Sequence, residues 1–307
     1  TLADSGISFF NISYLGTKGV FVALLAGLIV SRLLALITEK NIVIKLPDSV
    51  PEMVSESLSS LLAGVIIAIV FLIFRALFAV TPYGNATDCI YTIIQTPLQS
   101  LTGNLPAFII IILIAQLLWF FGIHGSMTVL PILFPIWLSY IGDNTAAMAA
   151  GKTIPHVLNI GLWDLANLGG SGATIGLVIL MFFKAKSNQY KSFGKLTLPC
   201  GIFSVNEPVI FGLPVILNPI MLIPFIICPI VLVCLGYALI QFGIVTAPIG
   251  ILGLGSMPPL ISGIMQGSLS WGIYQLVAVV ISIIIYYPFF KTIDNQALAK
   301  EKGEQGE

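Results

Sequence analysis

From Leu196 through Phe290 the chain carries a single acidic or basic side chain, Glu207, and its surroundings are almost entirely apolar. Only a lipid bilayer accommodates so long an uncharged run. There every backbone N–H and C=O must find its partner within the protein, which restricts spanning segments to helices or closed barrels. Glu207 lies in Gly201-Ile-Phe-Ser-Val-Asn-Glu-Pro-Val-Ile-Phe-Gly-Leu-Pro-Val-Ile-Leu-Asn-Pro219, where prolines and glycines interrupt any continuous helix. A charged side chain at bilayer depth costs roughly 2.5 to 3.5 kcal/mol even on a lenient scale, so its default role is to meet a ligand, an ion or a proton. A lone carboxylate on a broken helix is how transporters build a binding site near the midplane. The bland alternative is a structural cap on the broken end.

Composition agrees. The chain is 57% hydrophobic and 8% charged, against about 25% charged in soluble domains. Thirteen basic and 13 acidic residues balance, which suggests neither nucleic-acid binding nor a polybasic lipid anchor. Cys89, Cys200, Cys228 and Cys234 have no metal or redox spacing and read as small apolar fillers. The expected fold is an all-α polytopic membrane protein that mixes transmembrane helices with re-entrant or discontinuous ones. The chain opens on Thr1 without a signal peptide, and an N-terminal piece is expected to be missing.

Runs long enough to span lie at residues 17 to 38, 60 to 80, 218 to 242 and 272 to 290. Residues 106 to 121 and 170 to 184 are near the lower limit. Residues 124 to 141 and 196 to 215 are interrupted by Pro and Gly, and 246 to 263 are too rich in both for a plain span. Residues 87 to 101 read as an interfacial amphipathic helix. Lysines 184, 186, 191 and 195, together with those at 291, 300 and 302, place the 184–195 turn and the C-terminus in the cytoplasm. Residues 122 to 169 must then make one net crossing, and 124 to 141, as a discontinuous helix, is expected to make it.

A second polar outlier is His124, in Trp119-Phe-Phe-Gly-Ile-His-Gly-Ser126, the one imidazole in a stretch without charge from Cys89 to Gly142. A lone histidine in a soluble core is usually structural. Here lipid demands a partner, and glycines on both sides let backbone or solute come close, so solute contact is expected. His156 lies in a polar stretch and reads as a solvated loop residue. Lys18, Arg32 and Arg75 are placed to snorkel to an interface. Trp119, Trp137, Trp163 and Trp271 read as interfacial belt residues, with Trp119 also placed to stack on a sugar ring. No P-loop, zinc-protease or nucleophile-elbow motif occurs; Gly169-Gly-Ser-Gly-Ala-Thr-Ile-Gly176 only approaches a dinucleotide fingerprint and reads as close packing or a flexible break. The tail from Lys291 to Glu307 is polar and expected to fray.

Taken together, Trp119-Phe-Phe-Gly-Ile-His-Gly, Asn206-Glu-Pro-Val-Ile-Phe-Gly-Leu-Pro, Asn218-Pro, Leu46-Pro-Asp-Ser-Val-Pro, Gly169-Gly-Ser-Gly and Tyr286-Tyr-Pro-Phe-Phe290 resemble the lactose/cellobiose family of IIC sugar permeases of the bacterial phosphotransferase system. The resemblance runs in order along nearly the whole chain. It implies a homodimer whose N-terminal half is a scaffold and whose C-terminal half carries the sugar. By that comparison the chain lacks the first spans of the scaffold half. Residues 1–103 would be a truncated scaffold and dimerisation part, 104–290 the substrate-binding transport domain and 291–307 a cytoplasmic tail.

The same resemblance implies that His124 and Glu207 meet the sugar hydroxyl to be phosphorylated, Glu207 as its base. Asn206 and Trp119 would lie in the sugar site, and Gly16 and Lys18 where the scaffold approaches it. The implied substrate is a disaccharide of the cellobiose, lactose or chitobiose class. The implied partners are a phosphorylated IIB protein, with IIA upstream, and neither a cofactor nor a metal is implied. Where the family commonly has Trp-Thr-Thr-Pro-Pro, this chain reads Gly255-Ser-Met-Pro-Pro259, which removes an aromatic stacking surface. An ion-coupled secondary transporter with Glu207 as its proton or sodium site is the alternative that the residues themselves leave open.

The orientation is checked by thiol labelling of intact cells, with the four natural cysteines replaced. Asn85→Cys is expected to react with an impermeant reagent applied outside and Lys191→Cys to be shielded; the reverse pattern inverts the topology.

Overall fold

The computed structural model describes residues 20–42, 52–90, 92–93, 103–213, 215 and 217–304, and all regular structure among them is helical. Five of these helices are long and apolar enough to cross a membrane: Val22–Glu39, Ser60–Ala79, Gly125–Ala149, Pro219–Gln241 and Leu269–Lys302. The chain divides into two compact units, residues 1–99 and 100–307.

In the first unit α1 (Val20–Glu39) and α2 (Glu52–Ala79) pack on each other, and the short α3 (Ala86–Ile90) touches both. Of the amphipathic segment expected at 87–101, only the start is described. Leu28 and Leu72 are exposed, as suits helices that face lipid or another apolar surface. Arg32 lies 3.5 Å from Glu39, two turns along an exposed face.

In the second unit α4 (Leu105–Phe120) and α5 (Gly125–Ala149) form a helical hairpin. The α6 helix (Ile160–Ala166) packs on α10 (Pro219–Gln241), and α7 (Ile175–Lys184) packs on both α8 (Asn188–Ile202) and the long α12 (Leu269–Glu304). The short α9 (Glu207–Gly212) follows α8 after a break, and α11 (Ile261–Met265) lies against α12. The expected interruption between 196 and 215 and the irregular 246–263 segment are both present.

Two stretches of non-helical backbone enter the bundle, and side chains make up for the partners that a helix would have supplied. Between α6 and α7, Gly169, Gly170 and Gly172 take φ values of 80°, 94° and 81°. The carbonyls this exposes are met by Thr174 Oγ1 at Gly169, Asn206 Nδ2 at Ser171, Tyr286 Oη at Gly172 and Ser282 Oγ at Ala173, each at 2.7 Å. A Cβ on Gly172 would overlap the Phe225 ring, and one on Gly176 would overlap α12 backbone at Ser282 and Ile283. This glycine run is therefore a site of close packing.

The second stretch, 245–253, is held by amides. Gln266 Oε1 accepts from the N–H groups of Gly250 and Ile251, and its Nε2 donates to Ile251 O. Asn159 Nδ2 donates to Pro248 O and Asn144 Nδ2 to Ile249 O, both at 2.8 Å. Each such backbone group left unpaired in a dry interior would cost several kcal/mol.

Four expectations are corrected. Residues 125–149 form one continuous helix although Pro131 and Pro135 lie inside it. The prolines, four apart on one face, leave the carbonyls of residues 127 and 131 without their helical donors, a loss tolerated where neighbouring helices cover the backbone; half of this helix is buried. The tryptophans are not a belt: Trp119, Trp137, Trp163 and Trp271 are all buried, and Trp137 and Trp163 pack 5.7 Å apart against Phe108. His156 is not free in solvent, since its ring stacks on Tyr140 at 4.1 Å and its Nε2 lies 3.0 Å from Asp143 Oδ2.

The tail does not fray before Glu304, because its acids hold the α7–α8 turn. Buried Asp294 accepts from Lys186 N, Ser187 N and Ser187 Oγ at 2.7–3.0 Å, and Glu301 accepts from the N–H groups of Asn188 and Gln189. Carboxylates at a helix N-terminus also meet its positive dipole end. Asp294→Ala removes three charge-assisted hydrogen bonds at once. It is expected to destabilise the second unit by roughly 3 kcal/mol, read as a lower melting temperature in detergent.

Candidate functional site

The α4–α5 turn aims His124. Gly122 takes φ 79°, and His124 becomes the N-cap of α5, its Nδ1 accepting from Met127 N at 3.2 Å. Next to it, a Cβ on Gly125 would collide with the carbonyl of Ala115, so only glycine lets α5 start this close to α4. With Nδ1 occupied as an acceptor, the neutral ring carries its proton on Nε2. Trp119 packs on the imidazole with ring centres 4.2 Å apart.

Glu207 is set by the α8–α9 break. Ser204 takes φ 59°, turning the chain out of α8, and Asn206 anchors the corner: its Nδ2 donates to Ser171 O at 2.7 Å and to Thr174 Oγ1 at 3.0 Å. Gly170 leaves the space that the Asn206 amide fills. Glu207 then opens α9, ahead of Pro208 in the first turn, where a carboxylate is favoured. Its Oε1 lies 3.9 Å from His124 Nε2, and both side chains are more than a third accessible. That separation is too long for a hydrogen bond. It leaves room for one oxygen to accept from the imidazole N–H and donate to the carboxylate, each within ordinary hydrogen-bond reach.

These residues line a cavity of about 310 Å³, within the usual range for small-molecule sites. Part of its wall is a polar cluster, in which the Ser126 and Ser171 hydroxyls stand 3.2–3.4 Å from Asn167 Oδ1 and from each other, with two hydroxyl protons shared among the three contacts. His124, Glu207, Asn206 and Trp119 are thus brought together, although the Asn206 amide donors are already spent on the wall. Gly16 and Lys18 lie outside the described residues. A larger cavity of about 600 Å³ sits at the far end of α5, beside Lys152, Gln241 and Gln266, and contains neither a carboxylate nor an imidazole. Among the described residues no three His, Cys, Asp or Glu side chains converge as a metal site would require.

Asp164 of α6 also lines the cavity, a residue that the sequence analysis did not single out. Its signal was present, a carboxylate in Gly161-Leu-Trp-Asp-Leu-Ala166, with no other charge from Thr153 to Phe183. Its Oδ2 is sealed and has no hydrogen-bond partner. Burial pushes the carboxyl up to about 8. A Cβ on Gly255 would overlap Asp164 Oδ1, so the side chain extends into space that a glycine leaves free.

The fold and cavity define a polytopic helical membrane protein with a polar site built between broken helices. The chain belongs to the family "Phosphotransferase system, EIIC", whose model matches residues 1–229. It is 38% identical over 293 residues to the lichenan permease IIC component of Bacillus subtilis, covering 94% of this chain and 65% of that one. It is 37% identical to the cellobiose-specific EIIC component of Geobacillus stearothermophilus, over 95% of this chain and 66% of the relative. The chain therefore spans just under two thirds of these relatives' length. The crystal structure of ChbC, the IIC component of the N,N'-diacetylchitobiose-specific system, superposes with a TM-score of 0.89 at 36% identity, covering 96% of this chain and 69% of that one.

The Asn206 corner predicts its own test. Asn206→Asp keeps the size but turns a carboxylate oxygen toward the carbonyl of Ser171. Loss of the buried hydrogen bonds is expected to cost about 1–3 kcal/mol, measured as a lower melting temperature, with no change expected for a substitution at exposed Lys195.

Proposed function

We propose that the chain is the sugar-handling part of a IIC permease in a bacterial plasma membrane. It binds a β-linked disaccharide of the cellobiose, lactose or chitobiose class and moves it inward by displacement of the 104–290 domain against the scaffold part. It then presents one hydroxyl to a phosphorylated IIB protein that IIA recharges. The working unit is a homodimer, with the 184–195 turn and the C-terminus in the cytoplasm.

The observation that carries this reading is the 3.9 Å gap between His124 Nε2 and Glu207 Oε1 at the cavity wall. A sugar hydroxyl in that gap is held by the imidazole N–H and gives its proton to the carboxylate as its oxygen attacks phosphorus. One O–P bond forms, the bond from phosphorus to the IIB side chain breaks, and the proton stays on Glu207. Phosphoryl transfer needs chiefly position and charge placement, and general-base help is worth on the order of 10² to 10⁴ in rate. An uncharged disaccharide suits a cavity of hydroxyls and amides. Relatives named for lichenan, cellobiose and diacetylchitobiose support the substrate class.

In a full-length chain supplied with IIA and IIB, Glu207→Gln is expected to bind sugar yet lose 10²- to 10⁴-fold in phosphorylation. Glu207→Ala is expected to lose both, and His124→Ala chiefly binding. Wild-type phosphorylation by Glu207→Gln would remove the carboxylate from the chemistry. Accumulation of free sugar that collapses with an uncoupler would favour the ion-coupled alternative.

A further inference from the structure

We propose that the second unit carries a further sugar-binding site, separate from the His124–Glu207 cavity, in the two adjoining cavities at the end of the bundle where α5 and α10 stop. The proposal rests on the sugar reading above and adds to it a place where the disaccharide is first held.

The location is fixed by α12. Its first turn stands beside the larger cavity, where Ser270 Oγ accepts from Thr246 N at 3.0 Å, and its last turns clasp the α7–α8 turn. The two features therefore lie at opposite ends of a 36-residue helix. With the α7–α8 turn in the cytoplasm, as proposed above, this cavity is on the outer side, where sugar arrives.

Its walls are preformed. Both α5 and α10 end in a glycine of positive φ, Gly151 at 65° and Gly243 at 71°, and the chain turns away at each beside a concave space of about 600 Å³. Another wall is the 245–249 backbone, held in place by the buried amides of Asn144, Asn159 and Gln266. A second space of about 140 Å³ adjoins the first and shares Pro155, Val157 and Gln241 with it. His156 lines this smaller space, its ring fixed on Tyr140 and beside Asp143. Walls that are already ordered leave little to organise when a ligand binds.

The lining chemistry suits an uncharged polyol. Tyr237 and Gln241, four apart on α10 and hence on one face, offer a phenol and an amide, and Thr153 adds a hydroxyl. None of these three side chains has a hydrogen-bond partner among the described residues, so each can exchange water for a sugar hydroxyl. Val157, Val245 and Ile249 supply apolar surface for the C–H faces of the ring.

Charge argues against an anionic ligand. Lys152 is the one charged side chain that lines the larger cavity among the described residues, and it stands where α5 and α10 end, so the negative ends of two helix dipoles offset its ammonium. The larger cavity has neither acid nor imidazole, and the carboxylate beside His156 is already bonded to it. This site therefore holds sugar without acting on it, unlike the His124–Glu207 gap. The 245–256 segment runs from one cavity to the other, with Thr246 and Ala247 lining the outer and Gly255 and Ser256 the inner.

The test counts bound sugars. Equilibrium dialysis of labelled cellobiose, or of diacetylchitobiose if cellobiose does not bind, against the full-length chain in detergent is expected to give two per chain at saturation. His124→Ala combined with Glu207→Ala is expected to leave one. Adding Tyr237→Ala and Gln241→Ala to that variant should weaken the remaining site on the order of tenfold or more. The same two changes in the otherwise wild-type chain should leave only the inner sugar, and this arm decides if the His124/Glu207 variant does not fold. Tyr237→Phe with Gln241→Leu, which keeps the packing, serves if the alanine pair does not fold. One sugar per wild-type chain, lost in the His124/Glu207 variant, overturns the outer site and leaves the sugar reading standing. One sugar kept in that variant and lost with Tyr237 and Gln241 upholds the outer site and overturns the inner one. Two sugars whose binding is indifferent to Tyr237 and Gln241 also overturn the outer site, and a wild type that binds neither sugar overturns both.

Discussion

Backbone that leaves the helix inside a bilayer must be paired by something other than its own ladder, and the second unit is organised around that requirement. Thr174, Asn206, Ser282 and Tyr286 each supply a donor to a carbonyl of the 169–173 turn. Gln266, Asn159 and Asn144 do the same for the 248–251 segment. These uncharged donors cost far less to bury than a charge would, and they let irregular backbone persist where lipid or dry protein surrounds it. The helices are arranged to bring these side chains to those points. The close approach of α12 to the glycine run, with Tyr286 and Ser282 reaching over it, is the clearest case.

The candidate site is a by-product of the same solution. Asn206 is spent on holding the glycine turn, and because it is held, the next residue, Glu207, leaves the wall and enters the cavity. His124 is likewise a helix cap whose second nitrogen stays free. Each residue next to a structural hydrogen bond thereby acquires a fixed direction at little entropic cost, which is what a site that must place one hydroxyl to within about an ångström requires.

Much of this was legible in the sequence where the signal was charge. Glu207 and His124 stood out because each is the lone ionisable group in a long apolar run, and the breaks near 203–206 and 246–263 followed from proline and glycine. Trp119 was found through its place near His124 and Asn206 through its place beside Glu207 in the Asn-Glu-Pro motif, and the cavity does collect them. Asp164 was missed although it obeyed the same rule as Glu207, because nearby Asp143, Lys152 and His156 gave its neighbourhood a polar look. The continuous Gly125–Ala149 helix was missed because proline content alone does not say whether neighbours will cover the freed carbonyls.

Composition and charge spacing by themselves determined that this chain is a helical membrane protein, that its helices are interrupted in particular places, and that a carboxylate and an imidazole must have a purpose. Those are local properties, set by what each segment can bury. Only the tertiary structure decided which atoms meet: that His124 Nε2 and Glu207 Oε1 stand 3.9 Å apart, that four tryptophans are core rather than belt, and that Asp294 and Glu301 turn an apparent tail into a clasp. Residues 83 apart in the chain become neighbours through hydrogen bonds between distant segments, and no window of sequence contains both ends of such a bond.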